Sequence, residues 1–200
     1  MKIFNLDEIL LVMQRKKYIV FEYDGKPYNL NLIGVRNSTP VPNSFDDRLY
    51  VLWRFHGEWN GRNYSITTDP GLMYLKKPIN PAGTAILKEG QYKGMWQIGM
   101  HRGKYPALVQ VGPCVVIRDF NRDNRLDFDS KKEQKGSDFG INLHRSLKDM
   151  EASVVGEFSA GCQVFSNPHN FNEVMAMARV AEDNFGNSFT YTLINERDFS

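Results

Sequence analysis

LYVLWRFHGEWNGRNYSITT, residues 49 to 68, alternates apolar and polar side chains around a turn dipeptide, Asn60-Gly61. A period of two with β-branched and aromatic residues marks a half-buried strand, and Asn-Gly between two such runs marks a hairpin. YIVFEYDGKPYNLNLIGV, residues 18 to 35, repeats the pattern around Asp24-Gly25. Two hairpins so early in the chain make strands the principal element.

Outward from this β-rich start, the helical period occurs twice. Leu6 to Met13 carries Ile9, Leu10 and Met13 behind the acidic Asp7 and Glu8 and ahead of the basic Arg15 to Lys17, so its charges suit the helix dipole. The reading places an N-terminal helix within residues 1–17. SNPHNFNEVMAMARVAEDNFGN, residues 166 to 187, gives the second helix, with Asn170 expected as its N-cap, Phe171, Val174, Met175 and Ala178 as its apolar stripe, and Gly186 as its stop. Residues 69 to 106 hold many Gly and Pro residues, in DPG, NPAG, KEGQYKG and HRGKYP, and read as turns joining short strands such as TAILK. Ala107 to Arg118 is β-rich, polar residues then dominate until Phe139, and SFTYTLI is a strand returning to the sheet. With no repeat or linker in 200 residues, the expectation is a single α+β, mainly β domain over 1–200 with two short helices.

The 25 basic and 23 acidic residues nearly cancel, which gives no basis for nucleic-acid binding. DEILLVMQRKKY has the reverse charge order of a secretory signal, and no run is long enough to span a membrane. Synthesis in the cytoplasm is expected. Two cysteines, Cys114 and Cys162, cannot make a dense disulfide framework. Cys114, in VGPCVVIRDF, reads as a core residue.

Cys162 sits differently, after Gly161 in GEFSAGCQVF, and His144 precedes it by 18 positions at the end of GINLHRS. Two neighbouring strands joined by the intervening LKDMEASVVGE loop bring such a pair together. An imidazole then takes the thiol proton, or a thiolate–imidazolium pair forms outright, while Gly161 lets the backbone approach a substrate carbonyl. The competing reading is a small core cysteine with a histidine bonded to a backbone carbonyl.

His144 followed by Ser159-Ala160-Gly161-Cys162 resembles the L,D-transpeptidase (YkuD-like) catalytic domain, over roughly Gly140 to Val164. The whole chain, with HRGKYPALVQ, VVIRDFNRD and NSFTYTL, is also similar to small phage-encoded proteins carrying the same His and SAGCQV pair. The resemblance implies Cys162 as nucleophile, His144 as base, and Ser159 and Gly161 as supports of the cysteine turn. It implies acyl transfer on peptidoglycan stem peptides without a required cofactor, by water or by an amine, acting on the cell wall after release or from a phage virion. Ala160 and Val164 stand where that family has a second histidine and an arginine, and Arg145 or His101 would have to substitute. Those two losses favour an alternative, a non-catalytic virion or assembly protein that binds other virion proteins or the wall.

GMHRGKYPAL places His101 beside Arg102 and Lys104, with Tyr92, Trp96 and Tyr105 near in sequence; a groove for an anionic peptide would draw on His101, Arg145 and Tyr92. His56 reads as a hairpin-loop residue and His169 as a surface residue. DFNRDNRLDFDS has oxygen-bearing positions at Asp119, Asn121, Asp123, Arg125 (by its backbone carbonyl) and Asp127, the alternation of a calcium loop. Asn124 replaces the usual Gly, though Asn tolerates a left-handed backbone, and Ser130 stands where a bidentate Glu is usual. A solvated acidic turn is the competing reading.

Overall fold

A computed structural model describes residues 2–129 and 131–200. The first helix, α1 (Leu6–Arg15), starts at Asn5, whose side chain accepts the Glu8 N–H while Glu8 reaches back to the Asn5 N–H. This reciprocal cap satisfies two orphan donors of the first turn. Ile9, Val12 and Met13 are buried against Ile33, Val35, Tyr50, Leu52 and Ile194.

Strands β1 (Asn31–Arg36), β2 (Asp47–Phe55) and β3 (Glu58–Thr67) form an antiparallel meander. The β2–β3 turn lies at His56-Gly57, with φ of 52° and 83°, not at Asn60-Gly61, which sit inside β3 opposite Trp53 and Leu52. In this register Tyr64 faces Leu49 across the hairpin, and both join the main core. His56 is therefore a turn residue, as expected. The Asp24-Gly25 hairpin does not form. Side-chain amides replace the ladder there: Asn31 bonds both backbone groups of Phe21 at 2.8 and 3.0 Å, and Gln91 bonds those of Ile19 at 2.9 and 2.8 Å. Asp24 instead accepts the Gly57 N–H at 3.0 Å, tying its loop to the hairpin.

After β3 come a short helix that the sequence reading missed, α2 (Leu72–Lys76), and β4 (Thr84–Leu87). The KEGQYKG stretch is not a turn. It lies largely within β5 (Gly90–His101), which passes through a bulge where Gly94 has φ of 58° and its N–H meets the Thr190 hydroxyl. A glycine can mark such a kink within a strand as readily as its end. The chain reverses at Arg102-Gly103 into β6 (Tyr105–Gln110), then forms β7 (Cys114–Asp119), β8 (Glu133–Gly136), β9 (Leu143–Arg145) and β10 (Gln163–Phe165).

Helix α3 (Pro168–Phe185) starts one turn earlier than expected, capped by Asn167 with Pro168 at its first position, where a proline's fixed φ and missing N–H cost nothing. Its buried stripe includes Phe171, Val174, Met175 and Ala178, and Gly186 ends it. Strand β11 (Phe189–Asn195) then returns between β1 and β5, and a short 3-10 helix, Glu196–Phe199, follows.

Eight strands close a barrel in the order β1-β11-β5-β6-β9-β10-β3-β2, and β4-β7-β8 form a separate three-stranded sheet. The fold is a β-rich α+β architecture with three helices rather than two. Among the described residues no helix is long and apolar enough to cross a membrane. An ionic cluster lies inside: Arg36, 1% exposed, pairs with Asp69 at 3.0 Å and donates to the Thr68 and Leu87 carbonyls, while Asp47 accepts from the Thr68 N–H and hydroxyl. Burial, with Asp69 nearby, pushes the Asp47 carboxyl up to about 8.

Candidate active site

The turn before β10 depends on two small residues. Gly161 has φ of 127°, and a Cβ there would stand 2.3 Å from the Ala85 carbonyl oxygen in β4. Only glycine meets both conditions without displacing backbone. The fully buried Ser159 hydroxyl accepts the Gly161 N–H at 3.1 Å and donates to the Cys162 carbonyl at 2.8 Å. One hydroxyl thus closes the turn across the cysteine, and the Ser159 carbonyl accepts the Gly71 N–H at 2.9 Å.

His144 enters from β9, which runs parallel to β10 with Val164 opposite His144. Registered partners in a parallel pair share a face, and residues two apart along a strand do too. Cys162, two positions before Val164 and still held to the ladder by the bond from Gln163 N–H to the Asn142 carbonyl at 2.8 Å, therefore faces the His144 side. The 18-position separation is bridged by adjacent parallel segments.

The His144 ring is fixed from behind. Its Nδ1 lies 2.8 Å from the Arg145 carbonyl oxygen, an acceptor only, so Nδ1 carries the proton and Nε2 keeps its lone pair. The Tyr105 hydroxyl donates to the same carbonyl at 3.2 Å and lies 3.3 Å from Nδ1. His101 stacks on His144 with ring centroids 4.0 Å apart, and the Asn142 amide is 3.1 Å from His101 Nδ1. Burial, reinforced by His101 and Arg102, pushes His144 down to about 3; burial, Arg102 and Lys104 push His101 down to about 4. Both rings are neutral at pH 7.

Cys162 is half-buried and its thiol donates to the Gly140 carbonyl at 3.1 Å. Burial raises it to about 11, against the opposing pull of the Asn142 backbone N–H and Arg102. The resting pair is a neutral thiol and a neutral imidazole, not a thiolate–imidazolium pair. Among the described residues no hydrogen bond joins the two side chains; the thiol proton is parked on Gly140.

Two cavities of about 350 Å³ open near the turn. One is lined by His101, Arg102, Lys104, Tyr105, His144 and Arg145 among others, the second by Thr84, Ala85, Arg118, Phe139 and Ala160, and Tyr74 borders both. His101 and Arg145, read from the sequence as candidates for an anionic substrate group, both line the first cavity, with the Arg145 guanidinium over the Tyr105 ring at 4.3 Å. Tyr92 does not. It is in the main core, its hydroxyl donating to the Lys88 carbonyl, because its parity on β5 turns it inward opposite Tyr191. Tyr74, Gly140 and Asn142 were missed by sequence reasoning. Asn142 and Gly140 flank His144 closely enough to have been considered; Tyr74, in a Gly/Pro-rich stretch, gave no signal.

Cys114 is 1% exposed on β7, takes a contact from the Gln110 amide at 3.3 Å, and is pushed up to about 12 by burial. His169 is exposed in the first turn of α3. In the acidic loop, Asp119 is fully buried, its Oδ2 accepting the Asp127 N–H at 3.1 Å, and burial raises it to about 6. The left-handed residue of the loop is Arg122, φ 62°, not Asn124, and the Arg125 N–H bonds Asp123 at 2.7 Å. Ser130 lies outside the described residues, and among those described no three His, Cys, Asp or Glu side chains already form a metal cluster.

Comparison of the chain with protein-family models, with curated proteins and with solved structures finds no match.

Proposed function

We propose that the protein is a cysteine-dependent acyl-transfer enzyme acting on peptidoglycan stem peptides, a peptidase or transpeptidase of L,D-transpeptidase-like type, encoded by a phage or prophage. What supports the chemistry is the strand parity that sets Cys162 on the His144 side of adjacent parallel segments, together with His144 Nδ1 anchored on the Arg145 carbonyl. Nε2 accepts the thiol proton as Sγ bonds to the peptide carbonyl carbon, and amides of the cysteine turn bear the oxyanion. The same proton passes to the leaving amine as the C–N bond breaks. Water or an acceptor amine then attacks the thioester carbonyl, the C–Sγ bond breaks, and the proton lost by the nucleophile passes through His144 to Sγ. Arg102, Lys104 and Arg145 at one cavity suit a carboxylate-bearing peptide.

The peptidoglycan substrate rests on the sequence resemblance. Its test is digestion of purified sacculi, with products read by mass spectrometry. Released or cross-linked stem peptides with the native chain, and none with Cys162→Ala, support the reading; equal product from both would overturn it. A second reading, a non-catalytic virion or wall-binding protein, is favoured by the resting protonation state, in which the thiol is bonded to Gly140 instead of His144. Sacculus binding without turnover by the native chain is its expected outcome.

A further inference from the structure

We infer that Gln163 is a positioning residue, which aims the Cys162 N–H at the oxyanion formed during acyl transfer; the inference rests on the acyl-transfer reading of Cys162. Gln163 opens β10 directly after the cysteine and is fully buried. A buried amide is costly unless its polar atoms are partnered. The Tyr191 hydroxyl donates to its Oε1 at 2.8 Å, and Nε2 donates to the Gly161 carbonyl at 3.4 Å and the Thr68 carbonyl at 3.5 Å. Both carbonyls only accept, so the amide cannot be reversed.

These supports are themselves held. β10 and β11 are not neighbours in the barrel order, so the Tyr191 bond crosses the barrel interior. The Tyr191 ring packs on Trp96 with centroids 4.4 Å apart. Thr68 is fixed by the ionic cluster: Arg36 donates to its carbonyl at 3.2 Å, and Asp47 accepts its N–H and hydroxyl at 2.6 and 2.8 Å.

The consequence falls on one peptide unit. The Ser159 hydroxyl ties the peptide before Gly161 through the Gly161 N–H and the peptide after Cys162 through the Cys162 carbonyl. The peptide between them is left to Gln163, at a glycine whose backbone is free to rotate more widely than that of other residues. Its carbonyl and N–H point in opposite directions across a planar trans unit. Gln163 draws the carbonyl toward the interior, so the Cys162 N–H is turned away from it, and among the described residues that N–H meets no hydrogen-bond acceptor. A donor held in advance by a locked side chain is what stabilisation of an oxyanion requires.

The experiment compares two reactions of Cys162 in the full chain. With p-nitrophenyl acetate, Sγ adds to the ester carbonyl through an oxyanion, the C–O bond breaks, p-nitrophenolate leaves, and the thiol proton passes through His144 to water. With iodoacetamide, Sγ displaces iodide and no oxyanion forms. Gln163→Met keeps the side-chain length but cannot donate, and is expected to slow the Cys162-dependent p-nitrophenolate burst at least about tenfold, with alkylation changed by less than about twofold. Tyr191→Phe, which keeps the ring and loses only the anchor of Oε1, is expected to slow acylation in the same direction by about threefold. Circular dichroism confirms that each variant is folded. Equal slowing of both reactions in these variants would make Gln163 a merely structural support and overturn the inference, as would unchanged acylation in both variants. A native chain whose burst matches that of Cys162→Ala would overturn the acyl-transfer reading itself, and this inference with it.

Discussion

The two cysteines occupy opposite kinds of site in the same fold. Cys114 lies in a strand of the three-stranded sheet, 1% exposed, with ordinary backbone on both sides; Cys162 follows a left-handed glycine on a turn closed by a buried serine, half-exposed with its thiol on the Gly140 carbonyl. Burial raises both thiols, to about 12 and about 11. Acidity therefore does not distinguish them. What differs is the neighbour: a glutamine amide for Cys114, and for Cys162, on a segment running parallel to the strand of His144, the Gly140 carbonyl, with the His144 Nδ1 turned to the Arg145 carbonyl.

The largest expected effect that sharpens this contrast is on activity. Cys162→Ala should lower turnover on sacculi by at least about a thousandfold, as loss of a covalent nucleophile does, whereas Cys114→Ala should cost stability, about 1–2 kcal/mol for a small buried side chain, and leave turnover per folded molecule intact. A comparable loss of turnover in Cys114→Ala would break the comparison. Gly161→Ala comes next: a left-handed alanine meeting backbone at 2.3 Å should destabilise by about 3 kcal/mol or more, read as a fall in Tm. Ser159→Ala removes two hydrogen bonds from a buried turn and should cost about 1–3 kcal/mol by denaturant titration.

The smallest effect concerns pH. His144 and His101 are held near 3 and 4, below the ordinary histidine value of 6.5, so the unfolded chain binds protons more readily than the folded one between those limits. The contribution of these two histidines should be complete above about pH 6.5 and fall progressively as pH drops toward 3, against the opposite trend set by Asp47, whose carboxyl is held up to about 8. Chemical denaturation of the native chain and of His101→Gln from about pH 8 to about pH 4 checks this: the native chain should lose stability relative to the variant as pH falls, a difference in slope between the two. An unchanged slope in that variant would mean that the ring is not buried neutral.

Much of this arrangement was legible in the sequence because it depends on local chemistry. The apolar stripe of α3, the return strand β11 and the glycine before Cys162 follow from periodicity and backbone freedom. The misplacements have a common cause, long-range partners that a local rule cannot see. Asn60-Gly61 loses the turn to His56-Gly57 because strand register and the Asp24 bond select it. Asn31 and Gln91 hold residues 19 and 21 out of a ladder. Tyr92 looked available beside a cationic stretch, yet its pairing with Tyr191 turns it inward. For the site, types and spacing suggested Cys162 and His144, but the anchoring carbonyl of Arg145 and the parked proton on Gly140 are visible only in three dimensions.

The most direct test of His144 acting on Cys162 is the rate of Cys162 alkylation by iodoacetamide between pH 5 and pH 9, followed by intact mass and peptide mapping, for the native chain and His144→Ala. A thiol near 11 acting alone gains about tenfold in thiolate per pH unit throughout this range. With a neutral imidazole taking its proton, the native chain should add a component that does not vary with pH, giving a plateau at low pH that His144→Ala loses, while Cys114 stays unlabelled in both. Superimposable profiles rising tenfold per unit in the two proteins would contradict the account and leave Cys162 as a packed thiol beside an unrelated histidine.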